Sequence, residues 1–199
     1  GPLNIASYLM GMTEFLSLMM MDPEKTHHLL DIITQYLEQW HDLQKQTFPT
    51  IDGIFLLDDI LGFIGADQFR EFALPYLKRL YQRDLSIKFL HNDANSNSTI
   101  PFLEELGINL FNMGFEVDLN PLKNKLNHNV TMVGNIPPRD VLAQGSSEQV
   151  KQATIELLNN QETLSHILFS CGGGMPPQVT TQNIKTFIET VQNYDQLYK

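Results

Sequence analysis

The sequence predicts an α/β fold built on parallel strands, and three features of its pattern lead to that prediction. Short apolar runs without polar alternation, of which Gly53–Leu57 is the first, are typical of strands buried in a parallel sheet. Segments with apolar residues at helical spacing separate these runs, so strands and helices alternate along the chain. Each predicted strand also ends in polar residues or glycine, at the edge where parallel α/β folds bind their ligands.

The first helix with clear boundaries begins at Asp22-Pro23. Asp22 is suited to capping the helix, and Pro23 suits the first helical position because a backbone N–H there has no partner within the helix. It ends at Phe48-Pro49. Its apolar residues predict one buried face, formed by Leu29, Leu30, Ile33, Tyr36, Leu37, Trp40 and Leu43. A second helix is predicted over 67–82, with a kink or a late start at Pro75. Further strands are predicted at 87–90, 108–112, 130–133 and 167–169, and further helices at 99–106, 121–126, 146–158 and 181–194.

Composition and charge exclude several classes of protein. The 199-residue chain has 13 basic and 23 acidic residues, a net charge of −10, which argues against nucleic acid as a partner because phosphate recognition needs clustered Lys and Arg. Apolar stretches end well short of the roughly 20 residues of a membrane span, and the N-terminus lacks the basic region of a signal peptide. A single cysteine excludes an internal disulfide, so we expect a cytoplasmic protein without membrane partners.

Three residues that follow predicted strands form a candidate zinc site: His91, Asp93 and Cys171. Zinc accepts imidazole, carboxylate and thiolate ligands, and catalytic sites use three protein ligands with a fourth position open. Residues two apart in a strand point to the same side, so His91 and Asp93 can face one ion. The alternative interpretation is that His91 is an ordinary hydrogen-bonding residue and that Cys171 is a small apolar side chain of the core.

Two other groups of residues follow strands. The acidic pair Asp58-Asp59 suits general acid–base chemistry or binding of a cationic or amide-bearing substrate group, and its alternative role is helix capping or a solvated turn. Because two buried carboxylates are costly, we expect one to point inward and the other outward. Gly172, Gly173 and Gly174 allow the backbone to approach a ligand, and their N–H groups can hold an anion. The sequence contains neither GxGxxG nor the P-loop pattern.

Four stretches resemble the uroporphyrinogen decarboxylase superfamily: GPLNIASYLMG at the start, FIGADQFREFALPYLKRLY at 63–81, VGNIPP at 133–138 and CGGGMPPQVTTQNIKTFIETV at 171–191. The superfamily contains uroporphyrinogen decarboxylase itself and zinc-dependent, corrinoid-linked methyltransferases. The resemblance extends over a single domain, 1–199, and implies an α/β fold of the (β/α)8 TIM-barrel type. Such barrels have about 250 residues, whereas we count five to six β/α units if 1–6 ends a further strand. We therefore expect the C-terminal portion of a longer barrel, without the N-terminal strands, or a chain whose open side another chain covers.

The resemblance also implies roles for individual residues. In the methyltransferase branch a His-x-Cys pair and a cysteine before the last glycine turn bind zinc. His91 and Cys171 match these positions, and Asp93 stands where the family has its middle cysteine. In the decarboxylase branch the site includes a tyrosine, a serine and a histidine. Tyr8 matches the first, while Asp59 and Gly173 replace the other two.

The resemblance leads us to expect a zinc-dependent methyltransferase that moves a methyl group from a corrinoid, such as methylcobalamin or a corrinoid protein, to a thiol. The expected zinc ligands are His91, Asp93 and Cys171, and the expected catalytic residues are Asp59 and Tyr8. The expected substrate contacts are Asp58, Asn135, Gly172, Gly173 and Gly174. One alternative is a metal-free decarboxylase of a tetrapyrrole or another acidic substrate, and another is a non-catalytic tetrapyrrole- or corrinoid-binding barrel. A homodimer is compatible with each of these functions.

Overall fold

The computed structural model describes residues 1–126 and 129–198, and for residues 195–198 it describes the backbone alone. Five strands form a parallel sheet in the order β1-β2-β3-β4-β5. They are β1 (Gly53–Leu57), β2 (Ile87–Asn92), β3 (Leu110–Met113), β4 (Thr131–Val133) and β5 (Ile167–Leu168). Helices separate them along the chain, so the predicted parallel α/β class is confirmed.

The helices follow the predicted pattern with some differences. They are α1 (Pro2–Met10), α2 (Met12–Met21), α3 (Pro23–Thr47), α4 (Ala66–Gln68), α5 (Leu74–Tyr81), α6 (Leu119–Lys125), α7 (Ser147–Asn159) and α8 (Thr181–Tyr198). Short 3-10 helices span Asp59–Phe63 and Ile100–Phe102, and π-helical turns span Phe69–Ala73 and Pro138–Ala143. In the part of the chain that the structure describes, no helix combines the length and the apolar character needed to cross a membrane.

The chain divides into two compact units, Gly1–Phe111 and Asn112–Lys199. In the first unit α3 packs against α1, α2 and α5, and its buried core includes Leu30, Leu77, Leu80 and Leu90. In the second unit α7 packs against α8, over a core formed by Ile136, Leu142, Val150, Cys171 and Phe187. The prediction of a single domain over 1–199 stays a prediction.

Capping residues and proline determine where several of the helices begin. The Asp22 carboxylate accepts the N–H of Lys25 at 3.1 Å, as the prediction of a cap before Pro23 requires. Ser146 accepts the N–H of Gln149 at the start of α7. Pro75 has no N–H to donate to the carbonyl four residues earlier, and the turn directly before α5 is π-helical instead of α-helical.

Three predictions about the N-terminal segment and the helices are wrong. Residues 1–6 do not end a strand, because α1 begins at Pro2, which suits the first turn of a helix. Residues 99–106 form only a 3-10 turn, Ile100–Phe102. The predicted apolar face of α3 is partly exposed, with Tyr36 62% and Trp40 49% exposed. The buried residues of α3 are Thr26, Leu30, Ile33, Thr34 and His41, so the face that packs against α1, α2 and α5 is rotated from the predicted one towards Thr34 and His41.

Strand β1 also differs from the prediction of a strand buried on both faces. Ile54 and Leu56 are buried, whereas Phe55 and Leu57 are about half exposed. Successive side chains of a strand point to opposite faces, so one face of β1 packs against its own unit and the other is accessible. Phe55 stacks on Phe89 of β2 on this accessible face, with ring centroids 4.4 Å apart.

Candidate metal centre

Three side chains that bear metal-binding atoms meet at the carboxyl ends of β1 and β2. The strands pair in register, with Leu57 opposite His91. Asp59 and Asp93 follow these two residues by two positions, just beyond the ends of β1 and β2, so they lie at the same end of the sheet. The imidazole Nε2 of His91 lies 3.6 Å from Oδ1 of Asp59 and 3.8 Å from Oδ2 of Asp93. One ligand atom from each residue lies within 4.8 Å of the others.

This donor set fits a divalent cation such as zinc. Zinc accepts imidazole nitrogen and carboxylate oxygen at about 2.0–2.2 Å, which separates neighbouring ligand atoms by roughly 3.3 Å in tetrahedral geometry. The distances from His91 to the two carboxylates, 3.6 and 3.8 Å, are close to that separation. His91 is 8% exposed, and the ring of Phe55 lies edge-on to its imidazole, so one side of the candidate site is apolar.

One residue of the acidic pair after β1 is buried and the other is partly exposed, as predicted from the cost of burying two carboxylates. Asp58 is fully buried and accepts the N–H groups of Leu3 and Asn4 at 3.0 and 2.9 Å, so its carboxylate caps the first turn of α1. Burial raises the pKa of Asp58, and the charged amino terminus and the two N–H groups act in the opposite direction. The Asp59 side chain is 34% exposed and faces His91. The predicted substrate-binding role of Asp58 stays a prediction.

Tyr8 and Asp59 line one cavity of about 470 Å³ beside β1. The other walls come from β1 and α3, among them Phe55, Leu57, Trp40 and His41. Tyr8 is 82% exposed, which agrees with a position at the rim. The structure therefore places both predicted catalytic residues on one concave surface, and their catalytic roles stay predictions.

Cys171, the third predicted zinc ligand, lies in the second unit. Its thiol is buried, and Sγ donates to the carbonyl of Gly173 at 3.1 Å. Burial raises the pKa of the Cys171 thiol, so the side chain is a thiol in the absence of a cation. Its role as a ligand stays a prediction.

Two predicted substrate contacts of the second unit, Asn135 and Gly172, lie against the loop that follows β3. The Asn135 amide donates to the carbonyls of Phe115 and Val117 at 3.2 and 2.7 Å. A Cβ atom on Gly172 would lie 2.5 Å from the Phe115 nitrogen, so only glycine fits there. Gly173 has φ 93°, which also favours glycine, whereas space around Gly174 is open. Close packing therefore requires glycine at residue 172 and the backbone conformation favours it at residue 173, and contact of these residues with a substrate stays a prediction.

Two features of the candidate site go beyond the prediction from the sequence. Asp59 was predicted as a catalytic residue, and its carboxylate also lies among the metal-binding atoms. Asn4 was not singled out, although its Nδ2 donates to Oδ2 of Asp59 at 3.5 Å and its Oδ1 accepts the N–H of Ile60 at 3.1 Å. The only signal for Asn4 was its place in GPLNIASYLMG, because its partners are 55 and 56 residues away.

Comparisons with known proteins agree with the fold and with the sequence resemblance. Uroporphyrinogen decarboxylase of Chlorobaculum parvum is 27% identical over 191 residues, which is 91% of this chain and 52% of that protein. Methylated-thiol–coenzyme M methyltransferase of Methanosarcina mazei is 26% identical over 160 residues, 79% of this chain and 43% of that protein. The chain thus spans about half the length of the curated relatives it matches.

A solved structure of a methyltransferase from Methanosarcina mazei matches with a TM-score of 0.85 at 19% identity, over 98% of this chain and 57% of the other. This match confirms the predicted fold class, a (β/α)8 barrel that the chain contains only in part. The sequence model of the family described as uroporphyrinogen decarboxylase (URO-D) matches residues 1–194. The chain therefore belongs to the uroporphyrinogen decarboxylase family.

Proposed function

We propose that this chain carries the metal centre of a zinc-dependent methyltransferase that moves a methyl group from a corrinoid to a thiol. The observation that carries the proposal is the convergence of Asp59, His91 and Asp93, whose ligand atoms lie within 4.8 Å of one another. Membership of the family and the similarity to a methylated-thiol–coenzyme M methyltransferase support it. Asp93 takes the place of the family's middle cysteine, and a carboxylate is an accepted zinc ligand.

A zinc ion held by these side chains would lower the pKa of a substrate thiol, so that the thiolate forms near neutral pH. In the overall reaction the thiol proton passes to water and a bond forms between sulfur and the methyl carbon. The bond between that carbon and the corrinoid cobalt breaks, and its electron pair remains on the cobalt. The work of the protein is to hold the thiol, exclude competing water and orient the methyl donor.

The residues around the centre suit these tasks. Asn4 holds Oδ2 of Asp59 by a hydrogen bond of 3.5 Å, which leaves Oδ1 directed towards His91. Phe55 and Leu57 are apolar walls of the cavity that Asp59 also lines, and they reduce the access of water to that side. Tyr8 lies at the rim, where its hydroxyl can contact a polar group of the bound substrate.

Cys171 is the further zinc ligand that the resemblance to the methyltransferase branch implies. A thiolate is a stronger zinc ligand than a carboxylate, and cation binding would overcome the raised pKa that burial gives this thiol. Binding would also replace the hydrogen bond from Sγ to the Gly173 carbonyl. The proposed ligands are therefore Asp59, His91 and Asp93, whose ligand atoms converge in the first unit, and the role of Cys171 stays a prediction.

Elemental analysis tests the metal. After purification without chelators we expect about one equivalent of zinc per chain, and less than a tenth of an equivalent would refute the proposal. Asp59→Asn and His91→Ala should each lower the zinc content, because they remove a ligand atom. Asp67→Asn is the matched control, since the Asp67 side chain is 98% exposed and lies outside the centre, and it should bind zinc like the wild type.

A methyl-transfer assay tests the reaction. Wild-type protein should transfer a methyl group from methylcobalamin to a thiol, and Cys171→Ala should be slower if its thiolate contributes to the centre. Absence of transfer to every thiol tested, by protein that contains zinc, would refute the transferase and leave a non-catalytic corrinoid- or tetrapyrrole-binding protein.

A metal-free decarboxylase of an acidic substrate is the second candidate. The observation that favours it is the shared cavity of Tyr8 and Asp59, together with similarity to uroporphyrinogen decarboxylases over 191 residues. Zinc content separates the two functions, because the decarboxylase requires none. Release of carbon dioxide from a tetrapyrrole carboxylate by zinc-free protein would establish the second function in place of the first.

A further inference from the structure

The two segments that bear Asp59 and Asp93 contact each other closely at Gly62. Gly62 lies in the 3-10 helix Asp59–Phe63, and a Cβ atom at this position would lie 2.4 Å from the Cβ of Ala94. It would also lie 2.8 and 2.9 Å from the backbone nitrogen and oxygen of Asn95. A β-carbon and backbone atoms cannot rotate away, so any side chain at residue 62 forces the segments apart.

Two hydrogen bonds join the same segments near this contact. The N–H of Asp93 donates to Oδ1 of Asp59 at 3.3 Å, and the Ser98 hydroxyl donates to the carbonyl of Leu61 at 2.8 Å. Each segment thus carries one acidic residue of the candidate centre and one part of the close contact. His91 differs, because it lies on β2 and pairs with Leu57 in the sheet.

We propose that Gly62 is a positioning residue of the metal centre, whose missing side chain brings Asp59 and Asp93 within ligand distance of one cation. The inference rests on the proposed function, in that it assumes zinc binding by Asp59, His91 and Asp93.

The size of the displacement supports this role. Carbon atoms in ordinary contact are about 3.5 Å apart or more, so a separation of 2.4 Å requires a shift of roughly 1 Å. Productive ligand geometry tolerates errors of only about 0.5 Å. An alanine at residue 62 therefore separates the two carboxylates by more than a zinc site can absorb, while the ladder between β1 and β2 is untouched.

The test is zinc affinity, measured on the whole chain by competition with a chromophoric chelator. Gly62→Ala should bind zinc at least tenfold more weakly than the wild type. Gly65→Ala is the matched control, because a Cβ there meets the flexible end of the Gln68 side chain and no backbone atom among its nearest neighbours. The zinc affinity of this variant should equal that of the wild type. Wild-type affinity in Gly62→Ala would overturn the inference.

A rescue variant separates positioning from a general loss of structure. Ala94→Gly removes the atom nearest to the added methyl group, so the double variant Gly62→Ala/Ala94→Gly should regain at least threefold in affinity over Gly62→Ala. If Gly62→Ala does not fold, the folded double variant is compared with Ala94→Gly instead, and equal affinity of these two would overturn the inference. A wild type that binds no zinc would refute the proposed function and this inference with it, whereas zinc binding unaffected by Gly62→Ala refutes this inference alone.

Discussion

Asn4 donates from Nδ2 to Oδ2 of Asp59 at 3.5 Å. The same side chain accepts the N–H of Ile60 through Oδ1 at 3.1 Å, so one amide at the start of α1 holds both the carboxylate and the backbone that follow β1. Helix α1 is in turn capped by the neighbouring Asp58. The orientation of Asp59 towards His91 is therefore determined by α1 as well as by the sheet.

Replacement of Asn4 by alanine should weaken zinc binding by about tenfold, the usual effect of losing a residue that orients a ligand. The Asp59 carboxylate would lose a donor on Oδ2 and would rotate more freely. The measurement is a competition titration with a chelator. Asn193→Ala on α8 is the control, because the Asn193 amide donates to the carbonyl of Glu189 in its own helix. Equal affinities in the two variants would contradict the role of Asn4.

Replacement of Asp58 by alanine should destabilise the protein by about 3 kcal/mol, since hydrogen bonds to a charged group contribute about 1.5–3 kcal/mol each. The variant leaves the N–H groups of Leu3 and Asn4 without their buried acceptor. Asp58→Asn keeps one oxygen acceptor, so its free energy of unfolding should decrease clearly less than that of Asp58→Ala. Urea unfolding checks both, and a loss below about 1 kcal/mol for Asp58→Ala would show that water replaces the carboxylate.

Acid should destabilise the first unit through His41. Burial lowers the pKa of His41 below 6.5, the charges of Arg83 and Lys45 act in the same direction, and the backbone of Gly53 opposes them. The unfolded chain therefore binds a proton at a higher pH than the folded chain. The contribution of His41 to the free energy of unfolding is fully present above pH 6.5 and decreases as the pH falls below it. Urea unfolding between pH 7.5 and 5 should show a steeper loss for the wild type than for His41→Leu. Parallel curves would exclude His41 as the cause.

Arg79 joins α5 to α3, and lysine should not replace it. Its guanidinium contacts both oxygens of Glu38, at 3.1 and 2.6 Å, and Oδ1 of Asp31 at 2.6 Å. A lysine ammonium cannot make the paired contact with Glu38. Because these groups are partly exposed, we expect Arg79→Lys to lose only about 1 kcal/mol. The loss should shrink in 1 M NaCl, and an equal loss at both salt concentrations would indicate a packing effect instead.

Local sequence determined most of the elements of this protein. The run Gly53–Leu57 is a strand with the predicted ends, and Asp22-Pro23 begins α3, because apolar runs, caps and proline act through neighbouring residues. The motifs also led to the family, which the comparisons confirm over residues 1–194. The pair His91 and Asp93 was found from its spacing, since residues two apart in a strand share a side.

Only the tertiary structure determines which other residues lie beside His91 and Asp93 in the candidate metal centre. Asp59 lies beside His91 because β1 and β2 pair in register, and Asn4 reaches Asp59 because Asp58 caps α1. These contacts join residues more than 30 positions apart in the sequence, and the type of a residue does not indicate which distant residue it will contact. The exposed ring of Trp40 has the same origin: a helical pattern indicates which residues are apolar, but only the packing of α3 against other elements determines which face is covered.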